Sequence, residues 1–181
     1  MPGNSIQYRQ MGIEDIKPNM LEHFNRHQEV AKVWNRHGDD YVLEDYCFTQ
    51  NWSDEDKSRS VNEHLPDSIR SGGCLFGAFD EEKMIGFASI KGNFVGKEEQ
   101  HLRLYSMHVS YGYRNKGIGK RLFLLCAEAA RKLRAVKLYI TAFPAQETIT
   151  FYRAMGCVYA EEVIPEMFEE EPGDVHMEYV L

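Results

Sequence analysis

The chain has 181 residues, of which 43% are hydrophobic and 27% charged, a composition typical of an ordinary folded domain rather than a disordered or fibrous chain. Its 21 Lys and Arg residues are outnumbered by 28 Asp and Glu residues, giving a formal net charge of −7, so we do not expect nucleic acid as a partner. The four cysteines form no C-x-x-C pair and apolar runs are short. We therefore expect reduced thiols, a cytoplasmic location, no signal peptide and no membrane partner.

The chain begins with two predicted elements. Apolar and polar residues alternate over residues 6–11, which predicts a first strand. Apolar residues recur at rough helical spacing over residues 20–34, and we expect a helix there. His23 and His27 would lie one turn apart on that helix, but no acidic third ligand follows at a recognisable spacing, so we expect no metal.

A second group of elements follows an aromatic-rich stretch. Residues 41–52 have no clear assignment, and Ser53 and Asp56 then have the spacing of a capping box, which predicts the start of a helix. The apolar runs 74–79 and 84–90 flank a polar turn. They predict a β-hairpin with two substantially buried strands.

The next predicted strand, residues 101–109, has an irregular pattern. Leu102 and Leu104 share one face, whereas Met107 and Val109 share the other, so the alternation slips by one residue. A β-bulge produces such a slip and leaves backbone groups unpaired and available to a ligand. A strand buried on both faces is the alternative, because alternation then carries no information.

The remaining predicted elements alternate between helix and strand. Helical spacing of apolar residues predicts a helix over 118–133, and alternation predicts strands over 136–140 and 175–181. A short helix is expected over 144–155, with Gly156 suited to its C-terminal cap. No linker, repeat or low-complexity tract divides the chain, so we expect one mixed α/β structure.

Basic residues cluster where the irregular strand leads into the long helix. A glycine-bearing turn and a helix start present free backbone N–H groups to an anion. The cations here are Arg114, Lys116, Lys120 and Arg121. Helix N-termini favour acidic residues because the helix dipole is positive there, so this cluster predicts a polyanionic ligand. A solvated basic turn is the alternative.

The glycine pattern does not match the common nucleotide-binding loops. A dinucleotide fingerprint needs a third glycine where the chain has Leu122. A P-loop needs Ser or Thr where the chain has Arg121. A nucleotide-dependent enzyme is therefore disfavoured.

Two motifs together resemble those of a known family. The motif R-x-x-G-x-G at 114–119, followed by F-Y-x-x-x-G at 151–156, resembles the acetyl-CoA signature of the GNAT superfamily of N-acetyltransferases. The resemblance implies a mixed α/β fold with a mostly antiparallel twisted sheet of about six to seven strands, a bulged and splayed central strand and flanking helices. It implies one domain over residues 1–181, in which 1–73 builds the acceptor side and 74–181 the acetyl-CoA-binding core.

The resemblance also implies which residues bind acetyl-CoA, the expected co-substrate. The pantetheine arm would pair with backbone groups of Met107, His108 and Val109. The pyrophosphate would bind backbone N–H groups of the next loop, which comprises Arg114, Asn115, Lys116, Gly117, Ile118, Gly119 and Lys120. Tyr152 corresponds to a tyrosine that reprotonates the departing CoA thiolate, a role that suits a weakly acidic phenol. A core aromatic beside Phe151 is the alternative for Tyr152.

The sequence does not identify the general base that must deprotonate an amine acceptor. The position that carries Glu or His in many relatives corresponds to Arg103, which cannot accept a proton. The other nearby candidates are Glu98, Glu99, His101, Tyr105, His108 and a water chain to bulk solvent. A second departure is Ala145, where many relatives have an Asn that contacts the cofactor.

An acidic segment precedes the final strand. Residues 160–174 contain seven Asp and Glu residues and no Lys or Arg. If they border the acceptor cleft, they would attract a cationic amine. A solvated acidic loop is the interpretation that we favour.

The leading hypothesis is an N-acetyltransferase in which a primary amine of a small molecule or peptide attacks acetyl-CoA directly in a ternary complex. None of the four cysteines has an identifiable base partner, so we expect no acyl-enzyme. The alternative is a non-catalytic module that binds CoA or acetyl-CoA, which Arg103 and Ala145 favour and Tyr152 opposes. The identity of the acceptor is left open, as is the oligomeric state, since homodimers are common in the family.

Overall fold

The structure, a computed structural model, describes residues 5–38 and 40–181. The strands are β1 (Gln7–Met11), β2 (Gln28–His37), β3 (Asp40–Gln50), β4 (Cys74–Asp80), β5 (Lys83–Val95), β6 (His101–Val109), β7 (Lys137–Ala142), β8 (Val158–Tyr159) and β9 (Val175–Val180). The helices are α1 (Asp54–Arg59), α2 (Leu65–Arg70), α3 (Ile118–Lys132), α4 (Gln146–Ala154) and α5 (Pro165–Glu170). A π-helical turn over Ser60–His64 joins α1 to α2, and the predicted capping box at Ser53 begins this helical segment.

Most of the strands belong to one sheet. Its strand order is β1-β4-β5-β6-β7-β9-β8, and β2 and β3 form a separate hairpin. Among the described pairings, β6 and β7 are parallel, whereas their neighbours in the sheet pair antiparallel. Helix α3 packs on β4, β5 and β6, and α2 packs on β4 and β5. The mixed α/β fold class expected from the sequence, a mostly antiparallel sheet with flanking helices, is therefore confirmed.

The central strand β6 contains the predicted bulge. In the pairing of β5 with β6, Ser89 lies opposite Ser106, but the next residue, Ile90, lies opposite Leu104. Tyr105 is therefore the extra residue on β6, at the point where the sequence pattern slips. The bulge changes the face to which the following side chains point.

The bulged strand also separates from its parallel neighbour. Strand β6 pairs with β7 only through residues 101–104, which lie opposite residues 137–140. Beyond these residues β6 pairs with β5 alone. A gap therefore opens between the carboxyl-terminal halves of β6 and β7, as expected for a splayed central strand.

Apolar side chains cover both faces of the sheet. On one face, the fully buried Leu122 and Phe123 of α3 pack against the strands. On the other face, Leu65 of α2 packs with Phe87 of β5, and both are fully buried. Burial on both faces explains why β4 and β5 are nearly continuous apolar runs.

The prediction of a helix over residues 20–34 is wrong. Turns followed by β2 occupy this stretch, and the unassigned aromatic-rich stretch forms β3. The register of β2 against β3 shifts between Val30 and Lys32. Val30 and Val33, three residues apart, both join a buried cluster with Ala145. This irregular strand therefore imitates the spacing of an apolar helix face.

The remaining predicted elements are confirmed with small changes at their ends. They are the first strand β1, the hairpin of β4 and β5, the long helix α3, the strands β7 and β9, and the short helix α4. Gly156 follows α4 with a φ of 92°, the left-handed conformation of a C-terminal cap. No helix in the described ranges has the length and apolar character needed to cross a bilayer.

Two leucines on α3 test the packing of this fold. Leu122 is 0% exposed and its neighbour on the helix, Leu124, is 36% exposed. Leu122→Ala should lower the free energy of unfolding by about 2–5 kcal/mol because it leaves a buried cavity. Leu124→Ala should change it by less than about 1 kcal/mol, since surface substitutions have small effects. Urea denaturation of both variants measures the difference, and equal losses would contradict this packing.

Candidate functional site

Backbone groups of β6 face the gap between β6 and β7. The Ser110 N–H donates to the Ile85 carbonyl of β5 at 2.8 Å. Because successive residues of a strand direct their N–H and C=O groups to opposite sides, the backbone groups of Met107 and Val109 face away from β5. The Val109 carbonyl accordingly accepts a hydrogen bond from Arg114 Nε at 3.0 Å. Met107 and Val109 therefore present backbone groups to the gap.

The loop between β6 and α3 has the backbone of an anion site. Asn115, with φ of 61°, and Gly117, with φ of 80°, adopt the left-handed conformation, which is common in anion-binding nests. In the part of the chain that the structure describes, the backbone N–H groups of residues 115–120 have no protein acceptor. They include the first N–H groups of α3, where the helix dipole is positive. The loop can therefore bind an anionic group through its backbone.

Cationic side chains surround this loop. Arg114 is half-buried, and Lys120 and Arg121 are exposed. Lys116 folds back, and its Nζ donates to the Gly112 carbonyl at 3.1 Å. The first turn of α3 contains no acidic residue. The positive potential of the helix start is therefore reinforced rather than neutralised.

A glycine brings the loop, β6 and α4 together. A Cβ placed on Gly119 would lie 3.4 Å from a ring carbon of Phe151 on α4 and 3.5 Å from Cε of Met107 on β6. The start of α3 therefore packs directly on both elements. The structure thus joins the two sequence motifs, which are distant along the chain, around one site.

Tyr152 lies on the side of α4 that faces the core. Its side chain is 8% exposed, and its ring centroid lies 5.3 Å from that of Phe151 and 6.3 Å from that of Phe123. Burial raises the pKa of Tyr152, so the phenol stays protonated at neutral pH. Its hydroxyl has no hydrogen-bond partner among the described residues and is free to donate to a ligand.

Several candidates for a general base have other roles in the structure. His101 is buried and lies 3.3 Å from the carboxylate of Glu178. Tyr105 is the bulge residue, and its ring stacks on a histidine of the π-helical turn. Glu98 and Glu99 are exposed in the turn between β5 and β6. None of these four side chains is both without a partner and close to the gap.

His108 is a hydrogen-bond acceptor rather than a base. Arg26 Nε donates to His108 Nδ1 at 3.1 Å. Burial, together with the charges of Arg26 and Arg114, lowers the pKa of His108 to about 3. The imidazole is therefore neutral and too weakly basic to deprotonate an amine. By the alternation along β6, its backbone groups face β5 rather than the gap.

Arg103 connects the acidic segment, residues 160–174, to the sheet through hydrogen bonds and ion pairs. Its side chain is nearly fully buried, and Nη1 donates to Glu170 at 2.6 Å. Its Nη2 donates to Thr141 of β7 at 3.2 Å and lies 3.7 Å from Glu171. The segment 160–174, for which we favoured a solvated loop, therefore contains α5 and is anchored where β6 and β7 diverge.

Two titratable residues lie beside Arg103 that no sequence motif distinguishes. Asp174 directly precedes β9, and burial together with the charge of Glu171 raises its pKa to about 7. His176 on β9 is 4% exposed, and its Nδ1 lies 2.7 Å from the hydroxyl of Tyr139. In the sequence, both residues are marked only by their position at the start of a predicted strand. Their burial becomes clear only from the structure, in which the segment 160–174 is anchored to the sheet.

Ala145 occupies a packed position at the start of α4. It is fully buried and forms an isolated bridge with Val33 of β2. Next to it, the Trp34 N–H donates to the Pro144 carbonyl at 2.8 Å. The hairpin of β2 and β3 therefore covers the start of α4, and Ala145 is part of this apolar packing.

Comparisons with known proteins agree on one family. The sequence model of the Acetyltransferase (GNAT) family matches residues 32–157. The fold is similar to that of nourseothricin acetyltransferase, with a TM-score of 0.66, 19% identity and coverage of 97% of this chain and 98% of that chain. It is also similar to PaiA N-acetyltransferase from Thermoplasma acidophilum in complex with coenzyme A, with a TM-score of 0.62, 20% identity and coverage of 98% and 99%.

A third similar structure covers less of the chain. It is an aminoglycoside 6'-N-acetyltransferase complexed with coenzyme A, with a TM-score of 0.53, 15% identity and coverage of 67% of this chain and 79% of that chain. At these identities the structural likeness is one of fold. A comparison with curated protein sequences found no match.

The protonation of two histidines as a function of pH tests the electrostatics around β6. Hydrogen bonds to Asn51 and Glu29 raise the pKa of His27, whereas that of His108 is lowered to about 3. NMR of the imidazole nitrogens from pH 5 to 8 should show His27 titrating and His108 neutral throughout. Because the unfolded chain protonates His108 near its ordinary pKa of about 6.5, this residue should destabilise the fold as the pH falls below that value. Titration of His108 near pH 6.5 in the folded protein would contradict the description.

Proposed function

Because the chain belongs to the acetyltransferase (GNAT) family and is therefore an acyltransferase, we propose that it transfers the acetyl group of acetyl-CoA to a primary amine of a small molecule or peptide. The observation that carries the proposal is the gap between β6 and β7. The backbone groups of Met107 and the N–H of Val109 face this gap without a partner strand, and the Val109 carbonyl accepts from Arg114. The free amides of residues 115–120 lie beside the gap. A ligand with a pyrophosphate and an amide-containing arm fits both features.

The chain offers separate groups to the two parts of acetyl-CoA. The amides of residues 115–120 would hold the pyrophosphate, with the side chains of Arg114 and Lys120 adding positive charge. The backbone groups of Met107 and Val109 would pair with the pantetheine arm in place of a missing strand. When bound, acetyl-CoA supplies an acetyl group activated as a thioester.

The residues around the gap suit direct transfer to an amine. A backbone N–H of β6 that faces the gap would stabilise the negative charge that develops on the thioester oxygen. Tyr152, which burial keeps protonated, would donate its proton to the sulfur of the departing thiolate. Burial raises the pKa of the Cys126 thiol and that of Cys157, the latter to about 12, so both are poor nucleophiles and an acyl-enzyme is not supported.

The N-terminal part of the chain supplies the acceptor side in this proposal. Residues 1–73 would build that side and residues 74–181 the acetyl-CoA-binding core of one domain. Two N-terminal side chains support the assignment: Arg26 donates to His108, and the ring of Trp52 lies 4.8 Å from the ring of His108. The N-terminal part thus reaches β6 beside the gap.

Turnover of an amine panel tests the proposed function. The panel contains spermidine, lysine and a lysine peptide, together with nourseothricin and kanamycin because structures of similar fold carry names that refer to nourseothricin and to aminoglycosides. Thiol release from acetyl-CoA should occur with at least one amine. Tyr152→Phe should lower kcat by about 10²–10⁴-fold, the usual contribution of a general acid, without weakening acetyl-CoA binding.

Tyr179→Phe is the matched control. Tyr179 packs on the same Phe123, with 5.1 Å between ring centroids, but lies on β9 outside the site. Loss of the Tyr179 hydroxyl should leave kcat unchanged. Binding of acetyl-CoA without turnover of any amine would favour the non-catalytic module, and an unaltered kcat in Tyr152→Phe would overturn the acid role.

A further inference from the structure

A second polar cluster lies at the open end of the gap. Val175, the first residue of β9, is opposite Ala142, the last residue of β7, so Asp174 lies where β7 ends. The Asp174 N–H donates to the Glu171 carbonyl at 3.0 Å, and the carboxyl groups of the two residues also share a hydrogen bond. This arrangement holds the Asp174 carboxyl beside Glu171.

A buried histidine in this cluster has an unused donor. The Tyr139 hydroxyl accepts a hydrogen bond from the Ile164 N–H at 3.1 Å, and it lies 2.7 Å from His176 Nδ1. Because the described residues offer this buried hydroxyl no other acceptor for its proton, it donates to Nδ1, and the neutral imidazole carries its own proton on Nε2. His176 Nε2 has no partner among the described residues, although the side chain is 4% exposed. A buried N–H donor therefore remains for a ligand.

Arg103 provides a second unused donor in the same cluster. Its side chain is 6% exposed, and Nε has no partner in the described part of the chain, whereas both terminal nitrogens are paired. Native proteins rarely leave buried donors unpaired. Two such donors beside an acidic pair indicate that a ligand with a hydrogen-bond acceptor completes the cluster.

Charged and titratable groups from several elements surround Asp174. The charged and titratable groups of the neighbouring elements are Glu171, Arg103, Tyr152, Tyr139, His176 and, from β2, Arg36. Burial and Glu171 raise the pKa of Asp174 to about 7, and Arg103 opposes this shift. Burial is the main cause of the raised pKa of Tyr152, and the charge of Asp174 adds to it, so the two side chains interact.

We propose that Asp174, held by Glu171 at the open end of the gap, is the general base that takes a proton from the ammonium form of the acceptor. The acetyl acceptor is then an aliphatic amine that arrives as a cation, drawn by the acidic pair, and that also carries an oxygen able to accept from His176 Nε2 and Arg103 Nε. This inference rests on the proposed function and names the base that the sequence left open.

The protons balance in this scheme. Asp174 takes one proton from R–NH₃⁺, and the freed nitrogen lone pair forms the C–N bond to the acetyl carbon. The C–S bond breaks with its electron pair on sulfur, which takes the proton of Tyr152. The Tyr152 phenolate then recovers a proton from the acetylated nitrogen, either directly or through water. Asp174 finally releases its proton to solvent, so the reaction yields the amide, CoA-SH and one H⁺.

Variants of the acidic segment test the assignment. In Asp174→Asn, kcat/KM at pH 7 should fall by about 10²–10⁴-fold, measured with the panel amine that the wild-type protein acetylates fastest. The residual rate should then rise tenfold per pH unit, because only the free amine can react. Glu169→Gln removes one charge from an exposed position of the same segment and should change kcat/KM by less than threefold.

Glu171→Gln separates a catalytic role from a structural one. Removal of the neighbouring charge lowers the pKa of Asp174, so the acidic limb of the profile of kcat/KM against pH should move to lower pH. In the free protein, ¹³C NMR of the Asp174 carboxyl should show titration near pH 7 that moves down in Glu171→Gln. Unchanged melting temperatures and acetyl-CoA binding in the three variants exclude misfolding as the cause.

The possible results distinguish the two proposals. If the wild-type protein acetylates an amine and Asp174→Asn stays within threefold with the same pH profile, the base is elsewhere and the proposed function stands. If Asp174→Asn does not fold, two other results overturn the assignment. One is a profile of kcat/KM against pH that does not move in Glu171→Gln, and the other is an Asp174 carboxyl that titrates near pH 4 in the wild-type protein. If no panel amine is acetylated by the wild-type protein, both proposals fail.

Discussion

The structure depends on the divergence of β6 and β7. Two parallel strands that pair through residues 101–104 and 137–140 and then separate leave backbone N–H and C=O groups without a strand to satisfy them. Such groups are costly when buried and are normally paired, so a separation in the middle of a sheet requires another partner. A linear ligand with its own amides can take the place of the missing strand. The bulge at Tyr105 lies at the point of separation, and β6 still pairs with β5 beyond it.

The other parts of the site follow from the position of that gap. The loop after β6 ends in the start of α3, so its unpaired amides lie at the mouth of the gap, where Gly119 allows close packing on Met107 and Phe151. Helix α4 follows β7 and meets the start of α3 through Phe151, which precedes the buried Tyr152. Strand β9 pairs with β7, which places Asp174 at its end. In the proposed function, this opening therefore brings together an anion-binding loop, a protonated phenol and a carboxyl group.

The sequence predicted the parts of the site that depend on local patterns. The slip between Leu104 and Met107 predicted the bulge, and the glycines and cations around α3 predicted an anion-binding loop, because both are consequences of backbone geometry. The sequence pattern wrongly predicted a helix where β2 lies, because a register shift gives the buried Val30 and Val33 a helix-like spacing. It also gave no reason to choose Asp174 over the other acids of residues 160–174. Its burial depends on Arg103, which is distant along the chain and anchors α5.

Amide hydrogen exchange with and without CoA tests the central claim, that unpaired backbone groups of β6 and of the following loop form the binding site. CoA should slow exchange at Met107, Val109 and residues 115–120. The amide of Gly38, at the tip of the hairpin of β2 and β3, should exchange at the same rate with and without CoA. Binding of CoA that left these β6 and loop amides unprotected, or that protected other regions instead, would contradict the account.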